Sequence, residues 1–528
     1  MSTTPVAPPG QAQFPAPPGD AAVARLLGRA SATGSKRLPV VAPYTGAPIA
    51  ELPQSTRKDV TAAYDRARAA QRDWARRTPR QRAEVLLRLH DLVLDRQSEA
   101  LDLIQWENGK SRMHAYEEVA DVALSSRYYA RGGPGYLMPR RRSGLLPLLT
   151  QVVELHHPVG VVGVVSPWNY PLALGASDTL AALLAGNAVV QRPDPQTSLT
   201  CLWAASLADE AGLPEGLWQV VLGPGQQIGG AVLDLADYVM FTGSTKTGRG
   251  VAEKAGRRLV GSTLELGGKN PMLVLSDADL GRAAEGAVRA CFSSSGQLCI
   301  SMERMYVAAS VYDAFLERFV AKIEAMRVGA AFDFSMDIGS LTSGSQLERV
   351  SAHVDDARAH GAQVLTGGEP RPELGPYFYP PTVLANVSSD AQCYAEETFG
   401  PVVSVYPVGS EDEAVQRANE GEFGLNASIW TTDAARGRAL AARLRAGSVN
   451  VNEGYAAAWG SLDAPMGGMG ASGLGRRHGA PGVLKYTETQ TIATQRLLGL
   501  GTPPGLTHEQ WAGLFTAGLR LLRKTPRR

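Results

Sequence analysis

Over residues 56–76 and again over 80–96, apolar residues recur at helical spacing among many arginines, with Thr78 and Pro79 marking a break between two helices. The period changes at 159–165, where a β-branched run ends at Ser166-Pro167 and predicts a strand buried on both faces. Similar short apolar runs return at 188–190, 218–222, 238–241 and 272–275, separated by stretches of helical length. Such βαβ alternation predicts a parallel α/β sheet. A second alternating region, 304–430, carries strand candidates at 305–307 and 402–406 and predicts a second α/β domain. Between the opening helices and the first strand, Arg140, Arg141 and Arg142 precede a mixed stretch at 145–155 that reads as a protruding hairpin. At the other end, a helix over 507–528 places Trp511, Leu514, Phe515, Gly518, Leu519 and Leu522 on one face and finishes in basic residues. Packing against the body or a neighbouring subunit is its expected role, with attachment to an anionic membrane surface as the alternative.

Composition narrows the class. A chain of 528 residues with 44% hydrophobic and 20% charged residues suits two or three globular domains. Lys and Arg number 52 against 51 Asp and Glu, a net charge of +1, which gives no electrostatic footprint for nucleic acid and points to a small-molecule partner. The first 20 residues, rich in Pro, Ala and Gly, read as a disordered tail rather than a signal peptide. No apolar run approaches the roughly 18 residues of a membrane helix, so no integral membrane segment is expected. The four cysteines, Cys201, Cys291, Cys299 and Cys393, are too scattered for a metal site or a disulfide framework, and a reducing cytoplasm is the simplest compartment.

One of those cysteines carries candidate chemistry. Cys299 lies in Ser-Gly-Gln-Leu-Cys-Ile-Ser, 295–301, and Glu265 opens Glu-Leu-Gly-Gly-Lys, 265–269. An intracellular cysteine alone reads as a small buried apolar residue and a lone glutamate as a solvated one, but together they suggest a thiol nucleophile and its base. After the strand candidate at 238–241 comes Thr-Gly-Ser-Thr-Lys-Thr-Gly, 242–248, before a helical pattern. This suits a phosphate site at a helix N-terminus, with close backbone approach at Gly243 and a hydroxyl from Ser244. Its Gly-x-x-x-x-Gly spacing matches neither the three-glycine dinucleotide fingerprint nor the P-loop, so an ordinary strand-to-helix turn remains the alternative.

Five motifs then converge: Ser-Pro-Trp-Asn-Tyr-Pro at 166–171, Phe-Thr-Gly-Ser at 241–244, Glu-Leu-Gly-Gly-Lys-Asn-Pro at 265–271, Gly-Gln-Leu-Cys at 296–299 and Glu-Thr-Phe-Gly-Pro-Val at 397–402. In order and spacing the chain resembles the aldehyde dehydrogenase superfamily. Within it the chain looks like the second-type succinate-semialdehyde dehydrogenases of actinobacteria, sharing Ala-Cys-Phe-Ser, Cys-Ile-Ser and the 455–462 segment. The resemblance implies an α/β, aldehyde dehydrogenase-like fold with a Rossmann-type cofactor domain, an α/β catalytic domain and a small β oligomerisation element. The implied boundaries are a tail at 1–20, a cofactor domain at 21–141 and 159–266, a catalytic domain at 267–485, an oligomerisation element at 142–158 and 486–498, and a C-terminal extension at 499–528. A homodimer or homotetramer is implied.

The resemblance also assigns roles. Cys299 would attack the aldehyde carbon, as a thiol deprotonated by Glu265 or as a thiolate stabilised by bound nicotinamide. Asn169 and the Cys299 backbone N–H would hold the oxyanion, and Glu265 would activate water to hydrolyse the thioester. Trp168, Asn169, Gly243, Ser244, Leu266, Glu397 and Phe399 would line the cofactor. Arg192-Pro193-Asp194-Pro195 stands where relatives often carry a glutamate that repels a 2′-phosphate. That glutamate is missing and Arg192 is permanently cationic, which favours NADP, with NAD open through Asp194. Two positions where better-known succinate-semialdehyde dehydrogenases place carboxylate-binding arginines read Ser177 and Ser293. Tyr170, Trp459 and Ser461 complete the expected substrate pocket, and Arg304 is a further candidate cation. Ser301 occupies the place of a second cysteine that some relatives use as a redox switch, so no such switch is expected. Two other readings compete with oxidation of succinate semialdehyde: the same reaction on another aliphatic or aromatic aldehyde, and a cysteine acyltransferase or hydrolase.

Overall fold

The structure, a computed structural model, describes residues 16–145, 149–496 and 501–523. Local side chains set its helix starts. Thr56 accepts from the Asp59 amide at the head of helix Arg57–Arg76, and Asp59 accepts from the Thr56 amide in return. Thr78 and Gln81 repeat that capping box on helix Pro79–Asp95, whose first-turn proline lacks only an amide hydrogen that has no helical partner there. Two further helices, Gln97–Asn108 and Arg112–Tyr136, carry buried Gln105, Glu107, Asn108, Glu118 and Asp121. These polar positions break the apolar stripe, which is why no clean helical period announces them.

The first large sheet has six strands in the order Trp218–Val220, Ala188–Pro193, Val161–Ser166, Tyr238–Thr242, Gly261–Glu265 and Gly473–Leu474. Neighbours run parallel except the last pair. Val161–Ser166 has its sequence successor on one side and Tyr238–Thr242 on the other, so the winding direction reverses between them. A crevice opens at the carboxyl ends of strands at such a switch point, and here those ends lead into Pro167-Trp168-Asn169 and Gly243-Ser244. Gly261–Glu265 has one aliphatic residue, so pairing on both edges rather than its own pattern makes it a strand.

The second sheet has seven strands in the order Gln363–Thr366, Thr382–Ala385, Val402–Val408, Met302–Ala308, Asn270–Val274, Asn426–Trp430 and Ser448–Val451, all parallel but the first pair. Its two faces bury alternate residues of the same strands. Leu273 and Tyr306 lie in one apolar core with Leu384 and Ile429, while Met272, Val274 and Met305 lie in the other with Phe315 and Phe319. Burial on both faces explains the uninterrupted apolar runs in the sequence.

Residues 137–157 and 487–528 form a separate compact unit. Its three-stranded sheet runs Thr487–Gln495, Thr150–Pro158 and Arg140–Arg142, and the last two pair antiparallel as a hairpin. The hairpin begins at Arg140, two residues before the expected 142, and Arg142 makes both of its ion-pair hydrogen bonds to Glu154. Residues 146–148 lie outside the described residues. The C-terminal helix runs His508–Leu522 behind a Thr507–Gln510 capping box, and 524–528 of the expected helix lie outside the described residues. None of its residues is buried. Of the expected tail, 1–15 lie outside the described residues and a helix, Asp20–Leu27, begins at its end.

Candidate active site

Cys299 is presented by a turn between helix Leu280–Phe292 and strand Met302–Ala308. Ser294, Ser295 and Gly296 take consecutive left-handed conformations, with φ of 52°, 57° and 67°. A Cβ on Gly296 would stand 2.1 Å from the Gly400 carbonyl oxygen, so this turn packs on backbone that only glycine admits. Asn270 then donates its side-chain amide to the carbonyls of Cys299 at 2.8 Å and Ser301 at 2.7 Å, pinning the loop from behind. Cys299 is partly exposed, whereas Cys201, Cys291 and Cys393 are buried. Burial pushes the Cys299 thiol up to about 12, the carboxylates of Glu397 and Glu265 add to this, and Arg477 opposes it. The resting group is a thiol, so attack at neutral pH requires a base.

Glu265 ends its strand at the crevice and is buried, with Oε1 lacking a hydrogen-bond partner among the described residues. Burial pushes its carboxyl up to about 7, while Arg477 and Lys485 pull it down. A carboxyl balanced near neutrality is suited to take and release protons. The cations that balance it are fixed by Asp178, which pairs with Arg477 at 2.6 Å and Lys485 at 3.5 Å. Arg477 also donates to Thr242 Oγ1 at 2.8 Å. Sequence reasoning missed this trio. Its one signal was a set of basic residues, Arg477 and Lys485, in a stretch that includes buried His478, Val483 and Tyr486.

Asn169 follows the strand Val161–Ser166, is buried, and donates one side-chain N–H to the Gln297 carbonyl at 3.0 Å. Its second N–H has no protein partner among the described residues. Trp168 meets Phe399 edge to face, with ring centroids 5.5 Å apart. Glu397 accepts from the Gly268 amide at 2.8 Å, and burial beside Glu303 pushes its carboxyl up to about 8. Lys269 pairs with Glu303 at 2.5 Å, and Glu303 accepts from the Thr398 and Phe399 amides at 2.8 and 2.9 Å. Ser244 caps helix Thr245–Arg257, and the Gly243 amide donates to the Glu265 carbonyl.

These residues meet in one cavity of about 670 Å³, whose walls include Trp168, Asn169, Gly243, Ser244, Glu265, Leu266, Cys299, Glu397 and Phe399. A Cβ on Gly267 would stand 2.3 Å from Glu397 Oε2, so the glycine keeps the wall open beside that carboxyl. A helix-capped glycine turn, a buried carboxyl and aromatic walls fit a nicotinamide dinucleotide. Arg192 lies one strand away, buried, with Nε donating to the Gly223 carbonyl at 3.0 Å and its terminal nitrogens unpartnered among the described residues. Asp194 is turned to the Gln196 amide, as cap of Pro195–Thr197, and forms no ion pair with Arg192. Pro193 ends the strand Ala188–Pro193.

Beside Cys299, Tyr170, Tyr455, Leu298 and Ile300 form an apolar cluster against which Cys299, Trp459 and Met466 pack. Ser293 is buried, donates to the Arg289 carbonyl at 2.8 Å and lies 2.8 Å from the Tyr455 hydroxyl oxygen. Ser177 donates to Asp121 at 2.6 Å, and Ser461 is exposed with its hydroxyl on the Ala457 carbonyl. Neither is part of the cluster around Cys299. Arg304 donates to the carbonyls of Lys269, Arg417, Ala418 and Glu420, which commits it to holding backbone. An acid missed by sequence reasoning does appear: Glu117 accepts from Tyr455 at 2.9 Å and from Tyr170 at 3.2 Å. Among the described residues no His, Cys, Asp or Glu cluster is arranged to hold a metal, and no helix is long and apolar enough to cross a membrane.

The model of the aldehyde dehydrogenase family matches residues 30–492. The chain belongs to this family. It is 53% identical over 490 residues, 93% of this chain and 95% of the relative, to a Mycolicibacterium smegmatis protein named "Putative succinate-semialdehyde dehydrogenase" with NADP(+) as its cofactor. A solved NAD-dependent aldehyde dehydrogenase from Sinorhizobium meliloti aligns with a TM-score of 0.85 at 33% identity, covering 90% of this chain and 94% of that one. An E. coli NADP dependent enzyme aligns with a TM-score of 0.84 at 31% identity, covering 87% and 95%. The aldehyde dehydrogenase fold of parallel α/β sheets is therefore that of this enzyme.

Proposed function

We propose that the enzyme oxidises succinate semialdehyde to succinate with NADP through a thioester on Cys299. The observation that carries the chemistry is the meeting of Cys299, Glu265, Asn169 and Glu397 in a single cavity. The M. smegmatis relative supports the choice of substrate and cofactor.

Glu265 takes the thiol proton, and the Cys299 sulfur attacks the carbonyl carbon. The carbonyl π pair moves to oxygen, where the free N–H of the Asn169 amide and the Cys299 backbone N–H stabilise the charge. A bound NADP would supply the acceptor for the hydride that leaves that carbon as the carbonyl re-forms. Glu265 releases the thiol proton to solvent and then takes a proton from water as the water adds to the thioester carbon; collapse expels the Cys299 thiolate, which takes that proton back, and leaves the acid. Gly243, Ser244, Leu266, Trp168 and Phe399 would line the cofactor, Glu397 would accept from its ribose hydroxyls, and Arg192 would pair with the 2′-phosphate. NAD is the alternative cofactor. The enzyme works in the cytoplasm as a homodimer or homotetramer, joined through the three-stranded sheet of residues 137–157 and 487–496.

A second reading, oxidation of an uncharged aliphatic or aromatic aldehyde, draws on Glu117 among the tyrosines where a carboxylate-binding cation would stand. Formation of reduced cofactor with succinate semialdehyde, hexanal or benzaldehyde, each with NADP or NAD, decides between them. The highest kcat/KM is expected for succinate semialdehyde with NADP. A higher value for hexanal or benzaldehyde favours the second reading, and no reduction with any pair sinks both.

A further inference from the structure

Beneath the turn that carries Asn169 lies a buried ion pair. Lys110 and Glu118 have no side-chain exposure and lie 2.7 Å apart. The Lys110 ammonium has three N–H bonds and three acceptors around it: Glu118, the Asn169 carbonyl at 2.6 Å, and the face of the Tyr170 ring, whose centroid is 3.6 Å away. Glu118 uses its other oxygen to accept from the Leu172 and Ala173 amides, at 2.8 and 3.1 Å, in the first turn of helix Pro171–Leu184. Two residues upstream of Lys110, buried Asn108 donates to the Trp168 carbonyl at 2.9 Å. Between them sits Gly109, in a left-handed conformation at the end of helix Gln97–Asn108.

The peptide planes on both sides of Asn169 are thus gripped by one segment, the first through Asn108 and the second through Lys110. With both planes held, the Cα–Cβ direction of Asn169 is set, and its side chain has only to meet Gln297 to be aimed. An apolar pair of the same volume would pack here without the cost of desolvating two charges, so stability alone gives no account of the pair. Neither Lys110 nor Glu118 lines the cavity, so neither touches the reacting atoms.

We propose that Asn108, Lys110 and Glu118 are positioning residues for the oxyanion donor Asn169, holding its amide where charge develops on the carbonyl oxygen. This rests on the reading of Asn169 as that donor. The test is acylation of Cys299 by p-nitrophenyl acetate, followed as p-nitrophenolate release. That reaction builds the same kind of oxyanion and depends on neither the aldehyde nor the cofactor. The variants are Lys110→Met, Asn108→Ala, Asn169→Ala and the combinations of the first two with the third.

Lys110→Met is expected to slow acylation by about a hundredfold and Asn108→Ala by about tenfold, against a hundredfold or more for Asn169→Ala. NADP affinity should stay within about twofold, a readout that general loosening of the fold would move. Neither variant should slow the Asn169→Ala enzyme further, because a donor that is gone needs no aiming. If Lys110→Met does not fold, the apolar pair Lys110→Met/Glu118→Leu takes its place with the same expectation. Losses that multiply with that of Asn169→Ala, or an effect under about threefold, overturn the positioning role alone. Acylation by Asn169→Ala at the wild-type rate overturns the oxyanion reading beneath it.

Discussion

Two buried lysine–glutamate pairs flank the cavity and are built alike. Lys110 meets Glu118 at 2.7 Å and Lys269 meets Glu303 at 2.5 Å, and each glutamate accepts from two consecutive backbone amides near the site, the first pair at a helix start and the second in a loop. Glu118 serves residues 172 and 173, and Glu303 serves 398 and 399. The lysines differ. Lys110 also grips the Asn169 carbonyl and the Tyr170 ring, while the Lys269 ammonium has only Glu303 among the described residues. One pair therefore reaches the residue that would hold the oxyanion, and the other holds the wall of Glu397 and Phe399. A single device, a desolvated ion pair whose spare oxygen valences tie down backbone, stands on both sides of the cavity, and on the proposed reading one serves the oxyanion and the other the cofactor.

The sharpest break between the two sides is the nucleophile itself. Cys299→Ala should abolish aldehyde oxidation and ester acylation together while leaving NADP binding intact by fluorescence titration. Measurable turnover in that variant would remove the thioester from the mechanism. Glu265→Gln comes next, with steady-state turnover down by about a hundredfold or more and at most a burst of reduced cofactor. The sign of the pH dependence follows from the carboxyl being held up to about 7. Only the ionised form accepts a proton, so kcat should rise with pH through about 7, fall about tenfold per unit well below it, and lose that inflection in Glu265→Gln.

Lys269→Met should reverse the pattern of Lys110→Met. The KM for NADP should rise by about tenfold with kcat changed by less than about threefold, and urea unfolding should show a loss of about 3 kcal/mol from the stranded Glu303 carboxylate. If both lysine variants moved the same kinetic constant, the division of labour would be wrong. Arg192→Gln should reduce the preference for NADP over NAD by about tenfold, read as the ratio of kcat/KM values, with the aldehyde side unchanged. The smallest effect is an absence. Brief peroxide treatment should form no dithiothreitol-reversible intramolecular disulfide at Cys299, because residue 301 is a serine whose hydroxyl donates to the Ala290 and Cys291 carbonyls.

Much of the framework is local and was readable as such. The helix pair around Thr78-Pro79 starts where its capping residues stand, and the apolar runs at 159–165, 188–190 and 238–241 are strands because a parallel sheet buries both faces. Helices Gln97–Asn108 and Arg112–Tyr136 escaped because their buried faces carry the polar groups that hold the site. Chemistry and periodicity compete for the same positions there.

The residue types by themselves marked out Cys299, Glu265, Asn169 and the glycine turn at 242–248 as candidates, since each lies in a short motif, and all four reach one cavity. Tertiary structure decided what surrounds them. Glu265 is balanced near neutrality by burial and by Arg477, more than two hundred residues further along the chain, and no local pattern encodes a distant charge. Ser177 and Ser293, read from sequence as hydroxyls for a substrate, are engaged by Asp121, the Arg289 carbonyl and Tyr455. The acid Glu117 reaches the pocket only because its helix packs there. Burial and charge proximity depend on the whole fold, so the sequence names the candidate groups while packing sets their surroundings and their protonation.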